Sequence, residues 1–346
     1  MTTTVNATAN GGMGGGKTRI GCDIDFEADG KQVSWLKLPF SVHRSAYGHI
    51  AIPIAMVKNG KGPTLLAMSG NHGDEYEGQV ATTKLIRELQ PKDIKGRVII
   101  LPAANFPAAM AGTRTSPIDQ GNLNRTFPGD PDGTPTWMIS HFIETELVSR
   151  ADVILDLHSG GSSLLYIPSA LVAISPDKAR TAKLIELVEA FGAPVGYVNV
   201  GGGDRTSTGA AERAGKLRVG TELGGAGMVG VDAKQFAEDG VRRVMEHMGI
   251  LPKSVLTTNK PKTRVMDVGG DDYYCYAPDA GLFEPYVDLG AMVKKGQTAG
   301  VVQFVDNPLR EPVPAVFARD GMVLCKRVPG RVERGDCLFH LATDRS

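Results

Sequence analysis

Ser69-Gly70-Asn71-His72-Gly73-Asp74-Glu75-Tyr76-Glu77-Gly78 is the stretch whose reading organises this chain. Before it runs Thr64-Leu65-Leu66-Ala67-Met68, apolar and of buried-strand length. After it, Val80, Leu85, Ile86 and Leu89 recur at helical spacing through 79–89. His72 and Glu75 therefore sit on a strand-to-helix loop, where open α/β sheets place their ligand sites. One tight turn can bring this imidazole and this carboxylate to a single ion. Zinc takes nitrogen and oxygen ligands, and catalytic sites often combine two histidines with one glutamate and leave a position open for water. An HxxE pair alone is also a common water-facing loop pattern, so the second half of the chain decides between the two.

Moving outward, residues 1–18 are rich in Thr, Asn and Gly and are expected to form a disordered tail. Strand-like runs follow at 32–38 and 49–57, and turn residues 58–63 lead into the strand before His72. A further buried strand is expected at 97–102. Residues 106–135 then lack clear periodicity and carry many Gly, Pro, Asn and Arg; loops of that length are usually functional or disordered. Ala151-Asp152-Val153-Ile154-Leu155-Asp156-Leu157-His158 reads as a strand, with Asp156 and His158 on one face by alternation. An amphipathic helix at 177–191, a short strand at 195–200, a flexible Gly-rich loop at 201–209, a strand at 217–223 and a helix at 232–248 complete the alternation. That order predicts an α/β fold with helices on both faces of a sheet. From Thr263 onward only short strands between Gly, Pro and Asp are found, which predicts a small all-β domain. The expected division is a catalytic domain at 19–255 and a β domain at 256–346.

The bulk properties exclude several functions. The chain has 346 residues, with 38 Lys plus Arg balanced by 38 Asp plus Glu. No net positive field favours nucleic acid or an anionic membrane. No apolar run approaches the ~20 residues of a membrane span, and the N-terminus has no signal-peptide core. Cys22, Cys275, Cys325 and Cys337 form no CxxC pair and read as reduced thiols of a cytoplasmic protein. Gly225-Ala226-Gly227-Met228-Val229-Gly230 has the GxGxxG form. The acidic residues that follow it lie within or just after a helix rather than at the end of a next strand, which speaks against a dinucleotide site. Gly224-Gly225 is instead expected to let backbone approach a substrate. Residues 277–283, 289–297 and 335–339 look like the lipoyl or biotinyl barrel-sandwich pattern. No lysine occurs between Lys295 and Lys326, so cofactor carriage is not expected.

Three strand ends carry chemistry: His72 with Glu75, His158, and Glu222. Each alone has a plain structural explanation, as a loop histidine or a solvated strand end. Together they match two histidines and a glutamate around zinc, with one free carboxylate.

Gly70-Asn71-His72-Gly73-Asp74-Glu75, Asn122-Leu123-Asn124-Arg125-Thr126-Phe127-Pro128-Gly129, Asp156-Leu157-His158-Ser159-Gly160 and Thr221-Glu222-Leu223-Gly224 resemble, in order, the motifs of the succinylglutamate desuccinylase/aspartoacylase family. The resemblance implies a zinc-carboxypeptidase-like mixed sheet followed by a small barrel-sandwich-like β domain. It implies about one zinc per chain held by His72, Glu75 and His158, with Glu222 as general base. It implies that Asn124 and Arg125 hold a substrate carboxylate, and it makes Arg114 the candidate oxyanion arginine. Asp156 is either an orienting partner of a ligand histidine or a buried structural carboxylate.

Within the family, 24–32, 45–48, 71–78 and 116–119 resemble the branch that deacetylates N-α-acetyl-L-2,4-diaminobutyrate in ectoine breakdown. That branch implies a small N-acyl amino acid as substrate. An acid should face its cationic side chain, for which Asp204 is the candidate by position. The rival readings are another acyl-amino-acid amidohydrolase, a carboxypeptidase, or a binding scaffold built on the β domain. A homo-oligomer without nucleic-acid or membrane partners is the expected assembly.

Overall fold

Thr64–Ser69 is buried along its whole length, as a strand covered on both faces must be. In the computed structural model, which describes residues 16–201, 203–254, 256 and 259–345, this strand is the third of the chain. Residues 1–15 of the expected disordered tail lie outside the described residues. Ten strands build most of the main sheet and its rim: β1 Gly30–Pro39, β2 His49–Asn59, β3 Thr64–Ser69, β4 Gly96–Leu101, β5 Val153–Leu157, β6 Leu164–Tyr166, β7 Ser169–Ala173, β8 Val195–Asn199, β9 Leu217–Glu222 and β10 Arg264–Val268. The spatial order is β1-β2-β4-β3-β5-β9-β7-β8-β10, continued by Cys337–Asp344, Gly321–Arg327 and Met292–Val293.

The sheet is mixed, as expected from the resemblance. β4, β3, β5 and β9 run parallel, while β2 joins β4 and β7 joins β9 in antiparallel fashion. Alternation along β3 sends Leu65 and Ala67 into one core layer and Leu66 and Met68 into the other. The first layer lies under α1 (Tyr76–Glu88), α4 (Lys178–Phe191) and α6 (Val231–His247). The second lies under α3 (Pro135–Phe142), with α2 (Phe106–Ala111) close by and α5 (Ser207–Arg213) contributing Ala210 and Ala211. Among the described residues no helix is long and apolar enough to cross a membrane.

Among the described residues from Arg264 onward the chain is built from strands, apart from one short helical turn at Asp271–Tyr273. Val313–Val316, Thr298–Gln303, Gly281–Pro285 and Arg331–Val332 form a separate antiparallel sheet in that order. A third core cluster joins this region to the main sheet, because Val195 and Tyr197 of β8 share it with Phe317, Phe339 and Leu341. β10 also pairs in parallel with β8, so the main sheet continues past the composition change at Leu251-Pro252.

Three elements differ from the sequence expectation. Residues 106–135 hold α2 and a helical turn at Leu123–Arg125, so much of the aperiodic stretch is ordered secondary structure. The expected loop at 201–209 ends in α5, whose first turn is capped by the Thr206 hydroxyl accepting from the Gly209 amide. α1 begins three residues before the apolar periodicity does, at Tyr76. Its first turn contains Gly78, where a Cβ would come within 2.6 Å of the Leu157 Cβ. The helix start thus lies against β5 too closely for the side chain that a periodic pattern would show.

The loop between β3 and α1 is equally confined. Gly70 adopts φ +64°, which favours glycine. The Gly73 amide donates to the Thr113 carbonyl at 2.9 Å, and a Cβ on Gly73 would stand 2.0 Å from the Ala108 carbonyl carbon. Gly73→Ala should therefore push α2 from the loop. Overpacking of this kind costs about 1–3 kcal/mol, and chemical denaturation should show a loss in that range. A fully stable Gly73→Ala protein would contradict this account of the loop.

Candidate metal centre and active site

The parallel register aligns the strand ends. Ser69 at the end of β3 pairs with Leu157 at the end of β5, and Asp156 of β5 pairs with Gly220 of β9. His72 and Glu75, then His158, then Glu222, therefore emerge along one edge of the sheet, where parallel-sheet ligand sites form.

There the Glu75 carboxylate lies between two imidazoles. Its Oε1 is 2.7 Å from His72 Nδ1 and its Oε2 is 2.8 Å from His158 Nδ1. Burial opposes charge on the His158 imidazole, yet Asp156 and Glu75 outweigh that penalty and hold its pKa up at about 10. Burial likewise works against the Glu75 charge, and His72 and His158 overcome it, holding the carboxyl well below its ordinary range. One donor atom from each of His72, Glu75 and His158 can be chosen so that all lie within 4.8 Å of one another, and all three residues are buried.

Each imidazole is fixed by its far nitrogen. His72 Nε2 meets Asn122 Oδ1 at 3.1 Å, and His158 Nε2 meets Asp156 Oδ2 at 2.9 Å. Outer partners of this kind set tautomer and ring orientation in metal sites and leave the other nitrogen free to ligate. The donor set, its closeness and its outer support fit a zinc-type cation.

Asp156 is wholly buried and holds several groups at once. Its Oδ2 accepts from Ser207 Oγ at 2.6 Å and from Arg218 Nη2 at 2.8 Å, besides facing His158. Burial opposes its charge, but His158 and Arg218 overcome it and lower its pKa. The two sequence readings of Asp156 therefore merge, since it is both a buried structural carboxylate and the partner of His158. Asn122, Ser207 and Arg218 carry no ligand motif of their own. The available signals are the Asn122 side chain within a quoted motif and a charged residue, Arg218, inside the apolar strand β9.

A cavity of about 380 Å³ opens beside these groups. It is lined by His72, Glu75, His158 and Glu222 together with Arg114, Asn124 and Arg125. Glu222 faces the cavity rather than packed protein, so it is partly accessible although deep in the molecule. Burial and then the charge of Glu75 raise its pKa to about 8. Arg114 donates weakly to Glu75 Oε1 at 3.4 Å, which puts a guanidinium beside the two imidazoles. Arg125 meets no carboxylate among the described residues; burial and the neighbouring Arg114 disfavour its charge. Two close guanidiniums, one without a counter-ion, make this wall an anion site. The Asn124 side chain instead accepts from the Ser207 amide at 2.9 Å, which ties this wall to α5.

Asp204 is exposed, and the carboxylates lining the cavity among the described residues are Glu75 and Glu222. The geometry therefore does not bring Asp204 to the site. Gly224 and Gly225, expected to face a substrate, pack within the chain: a Cβ on Gly224 would lie 3.1 Å from the Ala233 Cβ, and one on Gly225 would lie 2.3 Å from the Leu164 carbonyl oxygen. Gly225 thus packs the end of β9 against β6.

Known proteins share this arrangement of fold and motifs. Residues 61–248 match the succinylglutamate desuccinylase/aspartoacylase catalytic domain. The N-α-acetyl-L-2,4-diaminobutyric acid deacetylase of Halomonas elongata is 40% identical over 93% of this chain and 94% of its own. A succinylglutamate desuccinylase/aspartoacylase structure from Rhodobacter sphaeroides is 42% identical, covers 95% of this chain and all of its own, and superposes with a TM-score of 0.91. The product-bound ectoine utilization protein EutE (DoeB) of Ruegeria pomeroyi gives the same TM-score at 40% identity, over 95% of this chain and all of its own. The chain belongs to the succinylglutamate desuccinylase/aspartoacylase family.

Proposed function

We propose that this chain is a zinc-dependent amidohydrolase that removes the acetyl group of N-α-acetyl-L-2,4-diaminobutyrate, as a step of ectoine breakdown. The observation that carries the reaction class is the convergence of His72, Glu75, His158 and Glu222 on one cavity beside Arg114 and Arg125. The substrate is supported by the 40% identity to a deacetylase of that name and by likeness to an ectoine utilization protein.

His72, Glu75 and His158 would hold the metal, with Asn122 and Asp156 keeping their imidazoles in place. Bound there, zinc would lower the pKa of a water and polarise the amide carbonyl. Glu222 accepts the proton of the attacking water and returns it to the departing nitrogen. A carboxyl held near neutrality by burial suits both directions of that transfer. Arg114 stands beside Glu75 and stabilises the negative oxygen that develops on the former carbonyl. Arg125, lacking a carboxylate partner among the described residues, receives the α-carboxylate with its planar fork. Asn124 positions that wall through Ser207. The protein acts in the cytoplasm on this reading.

Purified protein should contain about one zinc per chain, and His72→Ala or His158→Ala should remove it. Elemental analysis that finds full zinc in both variants would refute the ligand assignment. Glu222→Gln should keep its zinc and lose turnover by ~10²–10⁴-fold, the usual contribution of acid–base catalysis. Near-normal kcat in the zinc-loaded variant would remove Glu222 from the mechanism. Among N-α-acetyl-L-2,4-diaminobutyrate, its γ-acetyl isomer, N-acetylaspartate and N-succinylglutamate, the first should show the highest kcat/KM. A lost charged partner costs about 10- to 150-fold. Faster cleavage of either dicarboxylic compound would overturn the substrate while leaving the reaction class intact.

A further inference from the structure

Part of the cavity lining is aromatic and lies outside the sequence motifs. Tyr274 and His340 are paired across adjacent antiparallel strands, and His340 and Tyr166 both pair with Cys325 on the strand between them. The three rings therefore stand in a row on one face. Tyr274 stacks on His340 with ring centres 4.5 Å apart and planes 6° from parallel. Tyr166 and Tyr197 meet His340 edge-on at 5.9 and 6.0 Å. All four residues line the cavity.

His340 is the unusual member. It is only 3% exposed, and among the described residues neither ring nitrogen has a hydrogen-bond partner. A buried polar group without a partner is costly, which points to a ligand that supplies one. Burial pushes its pKa down to about 4, so at neutral pH one nitrogen keeps its lone pair. Burial also raises the Tyr274 phenol, to about 12, and keeps it uncharged. The wall thus offers a lone pair and ring faces but no cation of its own. The charges whose field reaches these rings include Glu222, which acts on Tyr166, Tyr197 and Tyr274, and Arg218, which acts on Tyr197 and which Asp156 neutralises at 2.8 Å.

The same cavity is also lined by Arg114 and Arg125, which repel a cation and attract a carboxylate. A substrate carrying both charges has one orientation that suits both sets of side chains. We propose that Tyr166, Tyr197, Tyr274 and His340 form the pocket for the substrate's side-chain ammonium, with a His340 ring nitrogen accepting its hydrogen bond. This rests on the deacetylase reading above and adds to it the residues that select a cationic side chain. The tyrosine faces attract the ammonium through their negative ring faces, and His340 takes the place that Asp204 leaves unfilled.

The test compares N-α-acetyl-L-2,4-diaminobutyrate with N-acetyl-L-norvaline, which replaces the ammonium by a methyl group at similar size. The wild-type protein should prefer the diamine by about tenfold or more in kcat/KM, with the difference mainly in KM. His340→Phe keeps the ring and should erase most of that preference, lowering kcat/KM for the diamine more than for the norvaline compound. His340→Gln, which keeps an acceptor, should recover part of it. Tyr274→Leu should weaken the diamine and Tyr274→Phe should not. A preference unchanged in His340→Phe, or an equal fall for both compounds in a variant with native circular dichroism, would overturn the proposal. Calorimetric binding of L-2,4-diaminobutyrate against L-norvaline separates this idea from the reaction. If the protein hydrolyses neither amide but binds the diamine better and loses that in His340→Phe, the pocket stands and the deacetylase reading falls. If it binds neither amino acid selectively, the pocket falls.

Discussion

The parallel register of β3, β5 and β9 is the constraint on which the site depends. Each strand is buried on both faces, so its residues must be apolar along most of its length, and polar chemistry is left to the ends. Because Ser69 pairs with Leu157 and Asp156 with Gly220, the three ends fall at one edge within a few residues of each other. A slip of one residue in β5 would send His158 and Asp156 to the opposite face, since side chains alternate along a strand. The hydrophobic division of each strand between two core layers resists that slip, so the same burial that stabilises the sheet holds the two imidazoles at Glu75.

Electrostatics then explains why the site tolerates so many buried charges. Glu75 and Asp156 alternate with His72, His158 and Arg218, so each buried carboxylate has a positive or polarisable neighbour within about hydrogen-bond distance. Removing one member would leave an unpaired charge, which costs more than the pair itself contributes. Glu222 is the exception. It has Glu75 as a repelling neighbour, and its raised pKa follows from that and from burial. Among Glu75, Asp156 and Glu222, the group that departs from the pattern of paired charges is the one that a proton-transfer role requires to be unpaired.

Elements and residues that obey a local rule could be read directly. β3, β5 and β9 appear as apolar runs, α4 and α6 as helical periodicities, and His72, Glu75, His158 and Glu222 as polar residues directly after strands. Elements set by tertiary contact could not. β6 and β7, three and five residues long, are too short to show a period. α5 begins inside a Gly-rich segment, and its start depends on Thr206 and on the Asn124 side chain, which accepts from the Ser207 amide. Position in that loop points Asp204 to the site, but α5 carries the chain so that Thr206 and Thr208 line the cavity while Asp204 is exposed. His340 has no sequence signal at all. It lies in an ordinary strand, and only the pairing of that strand with the one carrying Tyr274 brings both to the cavity.

That last pairing gives the C-terminal strands a role in the site. The catalytic-domain match ends at residue 248, yet Tyr274 and His340 close the cavity that the strand ends open. A cavity of about 380 Å³ admits a small acyl amino acid and leaves little room for a longer peptide. Guanidiniums and neutral rings line the same cavity, so charge as well as size bears on what fits there. The same core that buries Phe317 and Phe339 against β8 holds the strands that carry Tyr274 and His340 to that cavity.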